Sequence, residues 1–320
     1  MKLLIVRLSA FGDVVHALPL AENARRAGAE VGWLCESRYR ELLEGNPNID
    51  RIFLADTRAW RRDPLKAHTW RDIRGLRRRL RGFAPDRVLD AQGLWKSAVL
   101  ARAAGKPVVG FAASERREGA SALLCSIRVR PPASARHVVE RNLSLLSAVG
   151  IPAERRAPDA TYLLSRPSPE ATVFLAEQPR PFAIFHPGAG RPEKVWGEEK
   201  FAALARRLSE RAGLHPVLSW GPGDESRVAR MSLEIPAARR IPLLPAQGLA
   251  RVASAAQIFI GGDTGPLHLA DAVGARTLGL FGPTDPERNG PYRGASIRYD
   301  DGTTADDVAN RALDLLNRSR

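Results

Sequence analysis

Residues 262–286 read GDTGPLHLADAVGARTLGLFGPTDP, and this stretch decides how the rest of the chain is interpreted. The apolar run at 257–261 just before it predicts a buried strand. Asp263, Thr264 and Gly265 then lie at the carboxyl end of that strand, and Pro266 falls in the first turn of a predicted helix. Such a turn binds phosphate, because free N–H groups and the helix dipole converge on an anion. The turn alone also fits an ordinary βαβ connection.

The length of 320 residues and the hydrophobic content of 44% predict a large core divided between two domains. No apolar run is long enough to span a membrane. The opening residues, MKLLIVRLSAFGD, are interpreted as a strand and its loop rather than a signal peptide, since the apolar run is short. Cys35 and Cys125 lie far apart in apolar surroundings, which predicts reduced thiols in the cytoplasm and no metal site.

Strands and helices alternate in two sets, which predicts an α/β fold made of two doubly wound halves. Strands are predicted at residues 2–7, 30–35, 51–55, 87–90, 107–110, 182–186, 215–220, 257–261 and 277–281. Helices are predicted at residues 13–27, 198–212, from 225 onward, 247–254 and 308–317. The proline-rich segment 151–180 is predicted to link the halves. The halves are expected to face each other across a cleft at the carboxyl ends of both sheets, where such folds bind ligands.

Positive charge is concentrated in one part of the chain. Residues 51–150 carry 21 Lys and Arg against 8 Asp and Glu, whereas the other 220 residues carry 28 against 27. This imbalance indicates a localised anionic partner. The run RDIRGLRRRLR at 71–81 is basic enough for nucleic acid, but Ile73, Leu76, Leu80 and Phe83 recur at helical spacing. The arginines therefore also fit the solvated face of an amphipathic helix.

Four co-linear motifs carry a resemblance that spans essentially the whole chain. They are RLSAFGDVVHALP at 7–19, DAQGLWKSAVLA at 90–101, HPGAGRPEKVW at 186–196, and GDTGPLHLADAVG at 262–274 with FGPTDP at 281–286. In this combination the sequence resembles glycosyltransferase family 9, the bacterial heptosyltransferases. Within that family, DAQGLxKS and HxVERN, here residues 90–97 and 137–142, are most similar to the enzymes that add the first heptose.

The resemblance implies the GT-B architecture of two facing Rossmann-like domains. It implies an acceptor-binding domain at 1–160, an ADP-sugar-binding domain at 161–300 and a closing helix at 301–320. The implied reaction is an inverting transfer of L-glycero-D-manno-heptose from ADP-heptose to a Kdo sugar of the lipopolysaccharide inner core. Such a displacement needs one base for the acceptor hydroxyl and a stabilised leaving group. A second acid is unnecessary, because the nucleoside diphosphate leaves as a weakly basic anion.

Two residues are the candidates for catalysis. Asp13, in the SxxGDV motif after the first strand, is the candidate base, although an Asp at a helix start is also a common N-cap. Lys194, in the glycine-rich loop after FAIFH, can neutralise charge that grows on the leaving diphosphate. With such cations available and no DxD-like pair near these turns, transfer is expected to need no metal and no other cofactor.

The resemblance assigns donor binding to residues of both halves: Ser9, Gly12, Glu225, Asp263, Thr264, Gly265 and His268. Asp263 is expected to contact the heptose hydroxyls, while Thr264, Gly265 and His268 hold the diphosphate. Glu225 is expected to hold the ribose, although the neighbouring Asp224 could take that role. His16 is expected to turn either to the core or to the cleft.

Acceptor binding is assigned to residues in predicted loops: Arg58, Trp60, Arg61, Arg62, Lys96 and Arg117. The carboxylates of Kdo and the phosphates of lipid A are the anions expected to bind there. The basic helix at 71–81 is expected to help hold the enzyme on the anionic inner face of the inner membrane, as a peripheral cytoplasmic protein. Nucleic acid is not expected as a partner on this interpretation.

Two departures from the family pattern leave alternatives open. The loop HPGAGRPEKVWG looks partly like that of the enzymes that add the second heptose, and Gly197 stands where proline is common. Whether the enzyme adds the first or the second heptose, and which sugar donor it uses, therefore stay open. The competing classes are a GT-B-type sugar-nucleotide epimerase, which turns over without an acceptor, and a nucleic-acid-binding protein that depends on the arginines.

Overall fold

A computed structural model describes residues 1–317 of the chain, which divides into two compact units, Met1–Pro158 and Asp159–Arg320. Each unit contains one sheet of six strands, and the strand pairs in both sheets are parallel. Strands alternate with helices along each unit. The predicted α/β fold with two doubly wound sheets is confirmed.

The first unit follows the predicted alternation. Its strands are β1 (Lys2–Val6), β2 (Glu30–Glu36), β3 (Arg51–Ala55), β4 (Arg87–Asp90), β5 (Val108–Phe111) and β6 (Ile127–Val129). Its helices are α1 (Phe11–Arg26), α2 (Thr57–Arg62), α3 (Ala67–Phe83), α4 (Trp95–Ala103) and α5 (Val138–Ser147). The strands lie in the order β3-β2-β1-β4-β5-β6, so the two central strands β1 and β4 are buried.

The apolar side of α3 packs on the first sheet. Leu76, Leu80 and Phe83 belong to the same core cluster as Phe53 and Val88. Leu76, Leu80 and Phe83 are three of the four residues that recur at helical spacing in and just after the basic run, so the amphipathic helix is confirmed. Its arginines lie on the exposed side.

The second unit repeats this winding. Its strands are β7 (Phe182–His186), β8 (His215–Leu218), β9 (Arg239–Arg240), β10 (Ile258–Gly262), β11 (Thr277–Phe281) and β12 (Ala295–Arg298). Its helices are α6 (Pro169–Glu177), α7 (Glu198–Ala212), α8 (Glu225–Glu234), α9 (Ala246–Ala255), α10 (Gly265–Ala272), α11 (Pro286–Asn289) and α12 (Ala305–Asn317). The strand order β9-β8-β7-β10-β11-β12 matches that of the first unit, with β7 in the place of β1 and β10 in the place of β4.

Two segments differ from the sequence-based expectation. The segment 151–180, predicted as a link, contains α6, which begins with Pro169 in the first helical turn where its missing N–H removes no helix bond. The last helix, α12, packs against α7, and its Val308, Ala309 and Ala312 belong to the core of the second unit. The final helix is therefore part of that unit's packing.

Candidate active site

Both sheets reverse their winding between two central strands, β1 and β4 in the first unit and β7 and β10 in the second. Loops that leave such a pair at its carboxyl end run in opposite directions and open a crevice between them. Ligands of doubly wound proteins bind at this switch point. Nine of the fifteen predicted site residues lie in the loops after these four strands or in the first turns of the helices that follow them.

A charged cluster lies at the switch point of the second unit. Lys194 Nζ lies 2.5 Å from Asp263 Oδ2, and His268 Nε2 lies 3.4 Å from Asp263 Oδ1. Burial alone raises the pKa of the Asp263 carboxyl, but the hydrogen bonds from His268 and Lys194 and their charges outweigh it and lower the pKa to about 2. The carboxylate therefore stays ionised and fixes the lysine and the histidine.

The start of α10 adds donors beside this cluster. Thr264 is the N-cap in an extended conformation, and Pro266 lies in the first turn as predicted. Thr264 Oγ1 is buried, and no residue among 1–317 forms a hydrogen bond with it. Thr284 Oγ1, in the turn after β11, is buried in the same way, and it is not among the predicted site residues. These hydroxyls and the N–H groups of the first helical turn suit an anionic ligand.

The two acidic residues at the start of α8 have different surroundings. Asp224 lies so close to the loop after β7 that a Cβ atom at Gly188 would stand 2.2 Å from Asp224 Oδ2. Burial raises the pKa of the Asp224 carboxyl, and Arg227 Nε lies 3.8 Å from its Oδ1. Glu225 is exposed, and its Oε2 accepts a hydrogen bond of 2.8 Å from the N–H of Gly223. Glu225 is thus the carboxylate open to a ligand, while Asp224 packs against the loop.

Gly197 has a backbone conformation that explains why glycine, and not proline, stands at this position. It is the N-cap of α7 and has a φ of 110°. Proline is restricted to φ near −65° and cannot adopt this conformation. The loop that carries Lys194 therefore enters α7 along a path that requires glycine.

At the switch point of the first unit, Asp13 forms an ion pair with Arg7. Asp13 Oδ1 lies 2.7 Å from Arg7 Nη2, and Asp13 Oδ2 accepts a hydrogen bond of 3.1 Å from the N–H of Ala10. The Asp13 side chain is 44% exposed, whereas the Arg7 side chain is only 9% exposed and also donates to the carbonyl of Ala91. Asp13 therefore caps the start of α1 and still leaves its carboxylate accessible.

Sequence reasoning missed Arg7 and Gln92. Arg7 follows the apolar strand β1 directly, and a charged residue at that point was the only signal for its role. Gln92, in the DAQG motif, accepts a 2.7 Å hydrogen bond from the N–H of Leu8 and donates a 3.0 Å bond to Ser9 Oγ. Gln92 thereby holds the loop in which Ser9 and, in the first turn of α1, Gly12 lie.

Four of the predicted acceptor residues lie on α2, so the expectation of a loop at this position is wrong. Arg58 and Arg61 are exposed, and Arg62 Nε lies 3.3 Å from Asp63 Oδ2. Trp60 is half-buried against the core cluster under α3. The short helix forms because Trp60 packs inward while the arginines point to solvent.

Lys96 lies in the first turn of α4, again in a helix and not in a loop. Its Nζ lies 3.2 Å from Glu36 Oε1, and the Glu36 side chain is only 4% exposed. Glu36 also accepts a hydrogen bond from the hydroxyl of Thr57 at the start of α2. Lys96 therefore joins α4 to the end of β2 and to α2.

The remaining predicted acceptor residue, Arg117, is exposed in a bend after β5. Its neighbour Arg116 is buried, with Nη1 lying 2.9 Å from Asp90 Oδ2 and both side chains fully buried. This ion pair fixes the loop that carries Arg117 to the end of β4.

The orientation of His16, which the sequence left open, is settled by burial. His16 is 4% exposed, and its ring packs edge-on against that of His137 with centroids 5.4 Å apart. His137 is the N-cap of α5, where its Nδ1 accepts a hydrogen bond from the N–H of Val139. The HxVERN motif thus packs against α1.

Comparison with known proteins agrees with this arrangement. The sequence model of glycosyltransferase family 9 (heptosyltransferase) matches residues 73–300. The chain belongs to glycosyltransferase family 9.

The relatives of this family 9 protein cover nearly all of it. Lipopolysaccharide heptosyltransferase 1 of Pseudomonas aeruginosa is 34% identical over 297 residues, which cover 91% of this chain and 81% of that protein. The structure of E. coli heptosyltransferase WaaC with ADP has a TM-score of 0.83 at 27% identity and covers 98% of this chain and 100% of that one. WaaC with ADP-2-deoxy-2-fluoro heptose has a TM-score of 0.81 at 27% identity and covers 98% and 99%.

This family 9 protein is a glycosyltransferase of the heptosyltransferase family, which confirms the predicted family and enzyme class. Within residues 1–317, no three His, Cys, Asp or Glu side chains are grouped so that they could hold a metal ion. In the same part of the chain, no helix has the length and apolar character needed to cross a bilayer.

Proposed function

We propose that this protein transfers L-glycero-D-manno-heptose from ADP-heptose to a Kdo residue of the lipopolysaccharide inner core, with inversion at the anomeric carbon. The observation that carries the proposal is the cluster of Lys194, Asp263 and His268 beside the first turn of α10. It combines a cation, fixed polar groups and a helix N-terminus, which are the groups that a nucleotide diphosphate-sugar requires. The relatives named for heptosyltransferase 1 and the ADP complexes of WaaC support the same donor and sugar.

In this proposal the second unit holds the donor. The first turn of α10 and Thr264 Oγ1 bind the diphosphate, and Glu225 binds the ribose. Asp263 accepts hydrogen bonds from heptose hydroxyls while it orients Lys194. As the bond between the anomeric carbon and the diphosphate oxygen breaks, negative charge grows on ADP, and the Lys194 ammonium stabilises that charge.

Asp13 acts as the base of the first unit. Its carboxylate takes the proton of the acceptor hydroxyl as the hydroxyl oxygen attacks the anomeric carbon, and ADP leaves with the electron pair of the broken bond. Arg7 and the N–H of Ala10 bind Asp13 from one side and leave the exposed part of the carboxylate for the acceptor. Because Lys194 and the helix N-terminus balance the leaving charge, we propose that no metal takes part.

The acceptor is proposed to be anionic and carried by lipid A. Arg58 and Arg61 are exposed cations on α2, and Arg117 is an exposed cation after β5, so each can pair with a carboxylate or phosphate. Lys96 is more constrained, because Glu36 already binds it. A lipid-borne acceptor also implies that the enzyme acts at the anionic inner face of the inner membrane, as a peripheral cytoplasmic protein.

The test is ADP release from ADP-heptose with Kdo-bearing lipid A, a metal chelator being present, and with product masses measured. ADP release that requires the acceptor supports the proposal. Transfer only to an acceptor that already carries one heptose would assign the second addition, and use of another sugar nucleotide would reassign the donor. Consumption of ADP-heptose without any acceptor would indicate an epimerase. Duplex DNA binding with a steep salt dependence and no transfer would indicate the nucleic-acid class.

A further inference from the structure

The outward side of α3 is a continuous basic surface, here called the α3 basic face. The helix of 17 residues carries six arginines and one aspartate. Its buried residues are Thr69, Leu76, Leu80 and Phe83. Arg71, Arg74 and Arg78 are spaced by three and four residues on the opposite side, so their side chains project from one exposed strip.

These arginines have no acidic partner in the part of the chain that the structure describes, whereas several exposed arginines of the second unit are paired with carboxylates. Among residues 1–317, none of Arg71, Arg74 and Arg78 forms an ion pair, and neither do the adjacent residues 77 and 79. Elsewhere, Arg230 Nη2 lies 2.7 Å from Glu198 Oε1, and Arg207 Nε lies 2.8 Å from Asp306 Oδ1. The α3 basic face therefore presents uncompensated charge to any anionic surface.

Two apolar side chains stand beside this charge. Leu65, in the turn before α3, is 93% exposed, and Trp70, in the first turns of α3, is 50% exposed. Trp70 precedes Arg74 by four residues and Arg77 by seven, so it borders the same strip. Exposed Leu and Trp beside arginines form the side-chain combination that binds at a lipid headgroup boundary.

We infer that the α3 basic face, with Leu65 and Trp70, docks the protein on an anionic lipid bilayer. The arginines bind lipid phosphates, and the two apolar side chains insert among the acyl chains near the headgroups. Leu65 favours a bilayer over nucleic acid, because a phosphodiester backbone offers no apolar phase to a leucine side chain. The inference extends the proposed function, whose acceptor is lipid-borne, but its test needs neither donor nor acceptor.

The test is cosedimentation with phosphatidylcholine vesicles that contain or lack phosphatidylglycerol. The variant is R71Q/R74Q/R78Q, and its matched control is R206Q/R211Q/R298Q, which removes the same charge from exposed positions of the second unit. Each arginine near an anionic membrane contributes roughly fivefold to binding, so the first variant should bind on the order of 100-fold more weakly. The control should bind like the wild type, and melting temperatures and ADP binding verify that both variants are folded.

A second variant, L65S/W70S, tests the apolar part. It should keep salt-sensitive binding to vesicles with phosphatidylglycerol and lose the fraction that persists at high salt. Equal weakening of the R71Q/R74Q/R78Q variant and its control would overturn the inference, since only net charge would then matter. Vesicle binding unchanged in R71Q/R74Q/R78Q, together with lost DNA binding, would overturn it in favour of nucleic acid. Failure of heptose transfer would contradict the proposed function. It would not affect the docking inference, because the vesicle assay uses neither donor nor acceptor.

Discussion

Each unit has a cation and a carboxylate paired at the switch point of its sheet, but the pairs are built in opposite ways. In the first unit the cation is the buried member, since the Arg7 side chain is 9% exposed and the Asp13 side chain 44%. In the second unit the carboxylate is the more buried member, since the Asp263 side chain is 14% exposed and the Lys194 side chain 20%. The same residue classes at the two switch points therefore leave the carboxylate exposed in the first unit and mostly buried in the second.

This difference separates two kinds of chemistry. Asp263 has a pKa lowered to about 2, which makes it a poor proton acceptor and a good anchor for Lys194 and His268. Asp13 has one side fixed by Arg7 and Ala10 and the rest open to solvent, which suits a group that must receive a proton from a bound acceptor. The comparison therefore supports the proposed division, in which the first pair takes the proton and the second stabilises the leaving charge.

The largest expected effect is that of Asp13→Asn. The amide oxygen can still accept the hydrogen bond from the N–H of Ala10, but it cannot take the acceptor proton. We expect kcat for heptose transfer to fall about 10³-fold, the range lost with a general base. Steady-state ADP release measures this effect.

The control for this prediction is ADP-heptose binding, measured by calorimetry, which should stay close to that of the wild type. The free energy of unfolding should fall by about 1–3 kcal/mol, since the cap is kept but the mostly buried Arg7 loses its carboxylate partner. Transfer at the wild-type rate in Asp13→Asn would remove the distinction between the two pairs.

The second expected effect distinguishes the proposed role of Lys194 in catalysis from that of Asp263 in donor binding. Lys194→Gln should lower kcat about 10²-fold, because the leaving diphosphate loses its cation. Asp263→Asn should weaken donor binding by at least tenfold, because it removes charge-assisted hydrogen bonds that orient the site. Kinetics on both variants, with donor affinity measured by calorimetry, distinguish a change in kcat from a change in binding. If both variants altered only stability, the cluster would be structural.

The third expected effect concerns Arg7 as a positioning residue that acts through Asp13. Arg7→Met should lower kcat more than tenfold with little change in the KM for ADP-heptose, because Asp13 loses the guanidinium that orients it. Arg7→Lys, which keeps the charge, should restore part of that loss. A variant that only unfolds the first strand would instead lower the fraction of active enzyme and leave kcat per active site unchanged, as active-site titration would reveal.

Whether the sequence predicts a strand depends on how deeply that strand is buried. The central strands were predicted because continuous apolar runs such as those of β1, β7 and β11 have one interpretation in a parallel sheet. The missed strands β6, β9 and β12 are all edge strands that are short and partly exposed, and one of them is only Arg239–Arg240. Their formation depends on a neighbouring strand, which no local pattern reveals.

The candidate site shows the same limit. Asp263, Lys194 and His268 are predicted because strand ends and glycine turns mark them in the sequence, and the structure brings the three side chains together. The partners Arg7 and Gln92 were missed because their contacts are with residues that the fold alone brings near, such as Asp13 and Ser9. The positive charge of Lys96 marks it in the sequence, whereas its partner Glu36 lies 60 positions earlier and no local pattern links the two.

The last expected effect is on stability and not on activity, and it tests the strand ends that precede the two pairs. β1 is followed by the charged Arg7, whereas β7 ends in His186, whose Nδ1 lies 3.2 Å from Ser219 Oγ. Burial lowers the pKa of His186 from 6.5 to about 4, while the hydrogen bond with Ser219 opposes this shift. The folded state therefore resists protonation that the unfolded state accepts, so stability is lost as the pH falls from about 6.5 to about 4 and not above that range. We expect the wild type to lose on the order of 3 kcal/mol more than His186→Gln over this interval, as measured by urea unfolding. Equal acid losses in the two proteins would mean that His186 is protonated in the folded state, and the contrast between a neutral and a charged strand end would then fail.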